Sequence, residues 1–227
     1  MKIFLTLFVF LFSFSAFAQH TAQEIKKFKI SKITKLSLTH GSEEPRKTEL
    51  WYDNNGNDTA EHTGGELYRR TKYEYNSKGQ IVTRTRYKAD GKETETAVYN
   101  YKPDGSYMIS NTDKDFGMTD FTYYDKSGKV IKTASPDGAE RIYTYDAKGH
   151  LTRIKSKSDN GGVVTDLQYT YNAKGQLIKE VSKGDYKWTK SYTYNAKGLI
   201  AKSKSNSITD DVADPEVTVT YEYEFRK

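Results

Sequence analysis

The sequence predicts an all-β protein in which tandem β-hairpin repeats form a long antiparallel meander, folded as a curled or barrel-like single-layer sheet. Three observations predict it. A Tyr-x-Tyr pair followed by Asn or Asp and then by glycine recurs in frame along the chain. Further turn signals fall between the copies. The composition, with 19 tyrosines and no cysteine, suits a thin hydrated sheet better than a thick aliphatic core.

The first 18 residues read as a signal peptide (1–18). Lys2 precedes an apolar run from Ile3 to Phe12, and Ala16 and Ala18 suit signal peptidase, so cleavage is expected between Ala18 and Gln19. The run is shorter than the roughly 20 residues a membrane span needs, so no membrane span is expected in the mature chain. No cysteine is present to carry a lipid anchor or a disulfide. An exported product is therefore expected, periplasmic, extracellular or associated with the outer surface, and held together by packing and strand pairing alone.

Residues 19–49 form a lead-in segment. Lys35-Leu36-Ser37-Leu38-Thr39 alternates like a strand, and the brief helix or cap suggested by Ile25, Phe28, Ile33 and Leu36 is the alternative.

Residues 50–227 hold the repeats. Tyr73-Glu74-Tyr75-Asn76-Ser77-Lys78-Gly79, Tyr143-Thr144-Tyr145-Asp146-Ala147-Lys148-Gly149, Tyr169-Thr170-Tyr171-Asn172-Ala173-Lys174-Gly175 and Tyr192-Thr193-Tyr194-Asn195-Ala196-Lys197-Gly198 are the clearest copies. Related copies end at Gly56, Gly105 and Gly128, which puts the seven glycines 23, 26, 23, 21, 26 and 23 residues apart. Tyr221-Glu222-Tyr223 begins an eighth. Asn or Asp opens a tight turn and glycine takes its left-handed position. Gly64-Gly65, Asp90-Gly91, Asp137-Gly138, Asn160-Gly161-Gly162 and Lys183-Gly184-Asp185 mark the returning turns, for about 16 strands at two per repeat.

Strand alternation then assigns faces. Tyr171 is expected opposite Leu177 and Tyr169 opposite Lys179, on a buried face that also collects Tyr75 with Ile81, Tyr145 with Leu151, Tyr194 with Ile200 and Tyr124 with Val130. Thr144, Thr170, Thr193, Ile154, Ile178 and Val82 are expected on the other face.

The Tyr-x-Tyr-Asn/Asp-x-x-Gly-x-Leu unit resembles the YD repeat of Rhs-type proteins, over roughly residues 50 to 227. The resemblance implies a β-sheet shell and an extracytoplasmic setting. In large relatives such shells enclose a C-terminal toxin or mediate surface contact. This chain has few copies and no aspartate-proline cleavage region, so it reads as a short secreted member without toxin activity.

No catalytic, cofactor-binding or metal-binding constellation stands out. His20, His40, His62 and His150 do not pair at metal-ligand spacing, and neither a nucleophile elbow nor a phosphate loop is present. Asp53-Asn54-Asn55-Gly56-Asn57-Asp58 and the group Asp210, Asp211, Asp214 and Glu216 read as solvated turns and loops, with a cation loop as the competing reading. The aromatic residues that the repeat does not use, Trp51, Tyr68, Tyr87, Tyr107, Tyr123, Tyr186 and Trp188, are the candidate ligand-contacting residues, because such rings stack on sugars or anchor protein partners.

The net charge of +6, or +5 without Lys2, is spread one or two lysines per turn and points to solubility before any acidic polymer; no specific nucleic acid is expected. Three functional classes follow. The first is a non-enzymatic repeat protein that acts as scaffold or binding module for a cell-wall or surface glycan or a protein partner. The second is an outer-membrane β-barrel. The third is a secreted enzyme or a fragment of an Rhs-type toxin-delivery shell. The first is expected, because repetition builds an extended surface whereas catalysis needs one irregular site.

Overall fold

The computed structural model describes residues 21–157, 163–183, 187–209 and 212–226. The expected signal peptide, His20, Tyr186, Asp210 and Asp211 lie outside them. Helix α1 (Ala22–Lys27) leads into β1 (Ile30–Thr39), β2 (Arg46–Tyr52), β3 (Asp58–Thr63), β4 (Glu66–Tyr75), β5 (Ile81–Lys88), β6 (Glu93–Tyr101), β7 (Tyr107–Asp113), β8 (Met118–Tyr124) and β9 (Val130–Ala134). The chain continues through β10 (Glu140–Tyr145), β11 (Leu151–Lys157), β12 (Val163–Tyr171), β13 (Leu177–Lys183), β14 (Lys187–Tyr194), β15 (Ile200–Thr209), β16 (Val212–Ala213) and β17 (Val217–Phe225).

From β1 to β16 each strand pairs antiparallel with the next, and the last wall strand returns to the first. β17 pairs with β15 on one side and with β1 on the other, from Ile30 opposite Phe225 to Thr39 opposite Val217. β1 also pairs with β2. Of the seventeen strands, β16 is a two-residue addition to β15, so sixteen form a closed wall. The expected curled sheet thus closes into a barrel with no lateral edge left for adventitious pairing.

The N-terminal segment supplies both a helix and a strand. Thr21 and Glu24 form a reciprocal capping box, and Lys26 and Lys27 sit at the favourable C-terminal end. Six residues are too few for a self-sustaining helix; burial of Ile25 against Ile30, Ile33 and Leu199 holds it in place. Arg226 closes the same end, with its backbone N–H donating to the Lys29 carbonyl at 2.7 Å and its guanidinium to the Tyr52 carbonyl at 2.6 Å.

The repeat turns form as their residues dictate. In the turn at 172–175, the Asn172 N–H donates to the Gln176 carbonyl and the Gly175 N–H to the Asn172 carbonyl, both at 2.9 Å. The Asn172 side-chain oxygen accepts from the backbone N–H groups of Lys174 and Gln176. Gly175 has φ +76°, the left-handed value for which glycine is suited. Asp53 spends its carboxylate in the same way, on the backbone N–H groups of Asn55 and Asn57.

Each of these turns is followed by a residue that changes the face assignment. Tyr171 does lie opposite Leu177, but the register then slips, placing Thr170 opposite Lys179 and Tyr169 opposite Glu180. Ile178 is the unpaired bulge residue, and past it the alternation inverts. The expected pairing of Tyr169 with Lys179 is therefore corrected, as is the placing of Ile154 on the outer face. Ile154 lies opposite Tyr143 and is buried. The same slip follows Gly56, Gly79, Gly128, Gly149 and Gly198. The hairpin at Gly105 lacks it, with Tyr101 opposite Tyr107 and Tyr99 opposite Ile109.

The two tyrosines of each copy do different work. The first is buried: Tyr143, Tyr169 and Tyr192 are only 8%, 8% and 5% exposed and pack with Leu151, Ile154, Leu177 and Ile200. The second joins one hairpin to the one before it. Tyr101, Tyr145, Tyr171, Tyr194 and Tyr223 donate their hydroxyls to the carbonyls of Ile81, Val130, Leu151, Leu177 and Ile200 at 3.0, 2.7, 2.9, 2.7 and 2.6 Å. Each acceptor lies two residues past a turn glycine, where the ladder to the next hairpin has not yet begun; the pairing beside Leu151, for example, starts at Arg153. The phenol satisfies a carbonyl that the sheet leaves over.

Candidate functional site: a charged lumen

The inverted alternation decides what faces the interior. The residue five past each of the six turn glycines followed by a bulge turns inward, and those residues are chemically mixed: Glu61, Arg84, Thr133, Ile154, Glu180 and Ser203. Together with their cross-strand neighbours they give the barrel an apolar, tyrosine-lined sector and a charged one.

In the charged sector, Arg84 and Arg86 of β5 converge on Glu95 of β6. Arg86 Nη1 lies 3.0 Å from both carboxylate oxygens, and Arg84 donates to the same carboxylate and to Asn111. Desolvation opposes ionisation of Glu95, but the charges of Arg86 and Arg84 outweigh it and hold its carboxyl below the usual range. Nearby, Asp58 accepts hydrogen bonds from Tyr73 at 2.7 Å and Thr71 at 3.1 Å, and Glu61 pairs with Arg69 at 2.7 Å. Among the described residues, the Nε groups of Arg84 and Arg86 have no hydrogen-bond partner.

A second basic centre joins β1 to β14. Lys35 lies opposite Tyr221, and Lys190 lies between Glu180 and Ser205. Burial, reinforced by the charge of Lys190, brings the Lys35 ammonium down to about 8, with Glu61 offsetting part of the shift. Burial lowers Lys190 as well. Glu180 accepts from the Tyr192 hydroxyl at 2.6 Å, yet burial still pushes its carboxyl above the usual range.

The candidate aromatic residues do not converge on one site. Trp51 is on the outer wall, edge-on to His62 and beneath the ammonium of Lys32. Tyr68, Tyr87 and Tyr123 also face outward, Tyr68 being 60% exposed. Tyr107 belongs to the inner stripe: it takes the place two past Gly105 that Ile81, Val130, Leu151, Leu177 and Ile200 fill in other copies, and it stacks on Tyr124 at 4.3 Å. Its expected freedom from the repeat is corrected accordingly. Trp188 faces the lumen on β14, between Ser182 and Ser207. The lumenal charges went unnoticed in the sequence because their inward position depends on the bulge; the signal available was the unpaired residue between Leu177 and Lys179 and its equivalents.

The acidic groups read as solvated turns and loops, with a cation loop as the competing reading, are engaged locally where they are described. Asp53 serves its turn, Asp214 accepts from Ser207 at 2.5 Å, and Glu216 pairs with Lys204 at 2.7 Å. Outward positions such as Lys72, Glu74, Thr144, Thr170, Lys179, Ser191 and Thr193 are exposed.

Residues 17–211 match the Teneurin YD-shell family. No curated protein matches the chain. Among solved structures, a porin-like protein from Bacteroides uniformis is similar at 14% identity and a TM-score of 0.39, covering 86% of this chain and 98% of that chain. The TcdB2-TccC3-Cdc42 complex is similar at 12% identity and a TM-score of 0.35, covering 84% of this chain and 14% of that chain.

Proposed function

The chain belongs to the Teneurin YD-shell family, and we propose that it is an exported, non-enzymatic shell module that binds a surface polymer or a protein partner. The observation that carries this reading is the closed wall with a polar exterior and a charged, tyrosine-lined interior. Closure leaves no strand edge to recruit a partner by strand addition, so recognition falls to side chains on the outer wall and in the lumen. The repeats present those side chains on a rigid frame. The apparent leader at residues 1–18 supports export.

An outer-membrane barrel would need an apolar band facing lipid. Here lysine, glutamate, serine and threonine occupy outward mid-strand positions, where one lysine at the bilayer midplane costs about 2–4 kcal/mol. Val98, Ile131 and Ile142 are among the apolar side chains exposed beside these polar positions.

The test is fractionation and intact-mass measurement of the expressed protein, followed by binding of the form beginning at Gln19 to cell-wall fractions, lipopolysaccharide, purified glycans and periplasmic extract. The expected result is an exported product with saturable retention and no turnover. A product still carrying residues 1–18 in the cytoplasm, or catalytic conversion of a retained substrate, would overturn the proposal.

A further inference from the structure

The second basic centre sets two ammonium groups against a single available carboxylate, that of Glu180. Among the described residues, Lys32, Lys88, Lys92, Lys132 and Lys204 each have a carboxylate within ion-pairing distance, whereas Lys35 and Lys190 have none. Their ammonium groups lie instead over aromatic rings, Lys35 Nζ at 6.0 Å from the centre of Tyr221 and Lys190 Nζ at 5.4 Å from that of Tyr192. Of the two acids close enough to act on them, Glu61 is paired with Arg69, and Glu180, which accepts from the neutral Tyr192 hydroxyl, is the one carboxylate left to face both ammonium groups. The net positive charge this leaves within the protein is costly. An anion supplied from outside would complete the arrangement.

The surroundings define what kind of anion fits. Trp188 lies two residues from Lys190 on the same face of β14, toward the barrel end opposite α1. Ser205 stands directly across from Lys190 and Ser203 across from Tyr192. An indole beside hydroxyls and paired ammonium groups suits a sugar ring that bears a carboxylate: the ring face stacks, the sugar hydroxyls exchange hydrogen bonds with serine, and the acid lies between the lysines. The closed wall offers an extended peptide no edge to pair with.

We propose that Lys35, Lys190 and Trp188 form a lumenal site for an acidic oligosaccharide of the uronic-acid type. This rests on the binding-module reading and narrows it to one ligand class and one face of the wall.

The experiment uses the mature protein with Trp51→Phe, so that Trp188 is the single indole. Its fluorescence is followed while trigalacturonate, its full methyl ester or hexaglutamate is added. The expected result is a saturable change with trigalacturonate, little response to the neutral ester or the peptide, and affinity about tenfold or more weaker in Lys35→Met and in Lys190→Met. Both variants keep the circular dichroism of the parent and melt no lower than it does, since methionine replaces a poorly compensated buried charge with apolar bulk. Equal affinity for the methyl ester would overturn the proposal, as would unchanged binding in both lysine variants. Hexaglutamate binding as tightly as trigalacturonate would replace the saccharide with an acidic peptide and so overturn the ligand class. Retention of a surface polymer that neither lysine variant alters defeats this site but leaves the shell-module reading standing, whereas retention of no polymer or partner at all defeats that reading.

Discussion

The hydroxyl of the second tyrosine, in the five copies where it reaches back to the preceding hairpin, is the smallest unit on which the architecture depends. Removing it from Tyr171 leaves the Leu151 carbonyl without its partner, so Tyr171→Phe is expected to destabilise by about 1–2 kcal/mol in urea unfolding. Tyr68→Phe, on an exposed outer ring, is expected to change stability by less than about 0.5 kcal/mol. Equal effects would show that the hydroxyl contact contributes nothing. Turn glycines differ in a comparable way. Gly56 and Gly79 both have positive φ, +86° and +75°, and alanine at either incurs roughly 1 kcal/mol of backbone strain. At Gly56 an added Cβ also meets the Ala22 carbonyl oxygen at 2.1 Å, whereas at Gly79 it meets nothing within 4 Å. Gly56→Ala is therefore expected to lower the melting temperature more than Gly79→Ala.

Helix α1 and the bulges show how single elements set the packing. α1 is short and derives its order from one side chain, since Ile25 is fully buried among Ile30, Ile33 and Leu199. Ile25→Ala is expected to cost about 2–5 kcal/mol and to increase binding of a hydrophobic dye, as the helix leaves that end of the barrel. A melting temperature within a degree of the parent would mean that α1 does not seal the end. The bulges act through register. One unpaired residue per hairpin sends Glu180 inward and leaves Lys179 exposed, so each strand carries a charge pattern that simple alternation would invert. The Gly105 hairpin, which lacks a bulge, reaches the same inward arrangement with Ile109 and Asn111.

At the scale of the whole molecule, closure puts ionisable side chains from distant repeats into one interior. Lys35 releases its proton near pH 8 in the folded protein but near 10.5 when exposed. Between these values the unfolded chain holds a proton that the folded chain has lost, so stability rises with pH across the interval. Interior tyrosines such as Tyr171 and Tyr194, pushed up to about 12 chiefly by burial, act in the opposite direction above pH 10, because the unfolded chain ionises first. Stability is thus expected to increase from pH 8 toward 10 and then fall. Urea midpoints of the parent and of Lys35→Met at half-unit intervals check this: the variant should lose much of the rise, and two parallel curves would show that Lys35 is not titrating in this window.

The hairpin repeat, the turn chemistry and the all-β class were legible because they depend on residues within one turn of each other. Asn172 and Gly175 dictate the same local geometry wherever they occur, and the pairing of Tyr171 with Leu177 follows directly from that turn. Tyr169 was assigned the wrong partner because a bulge is one extra residue with no distinctive side chain; Ile178 looks like any strand residue until the ladder skips it. Closure was also beyond local reading, since the curled sheet becomes a barrel through contacts such as Ile33 with Tyr223, 190 residues apart, which the twist of all intervening strands brings together. The charged lumen follows from both. Local chemistry determined the hairpins, while the accumulated register and the long-range return of β17 to β1 decided which side chains share an interior, because facing and proximity are set by pairing summed around the wall.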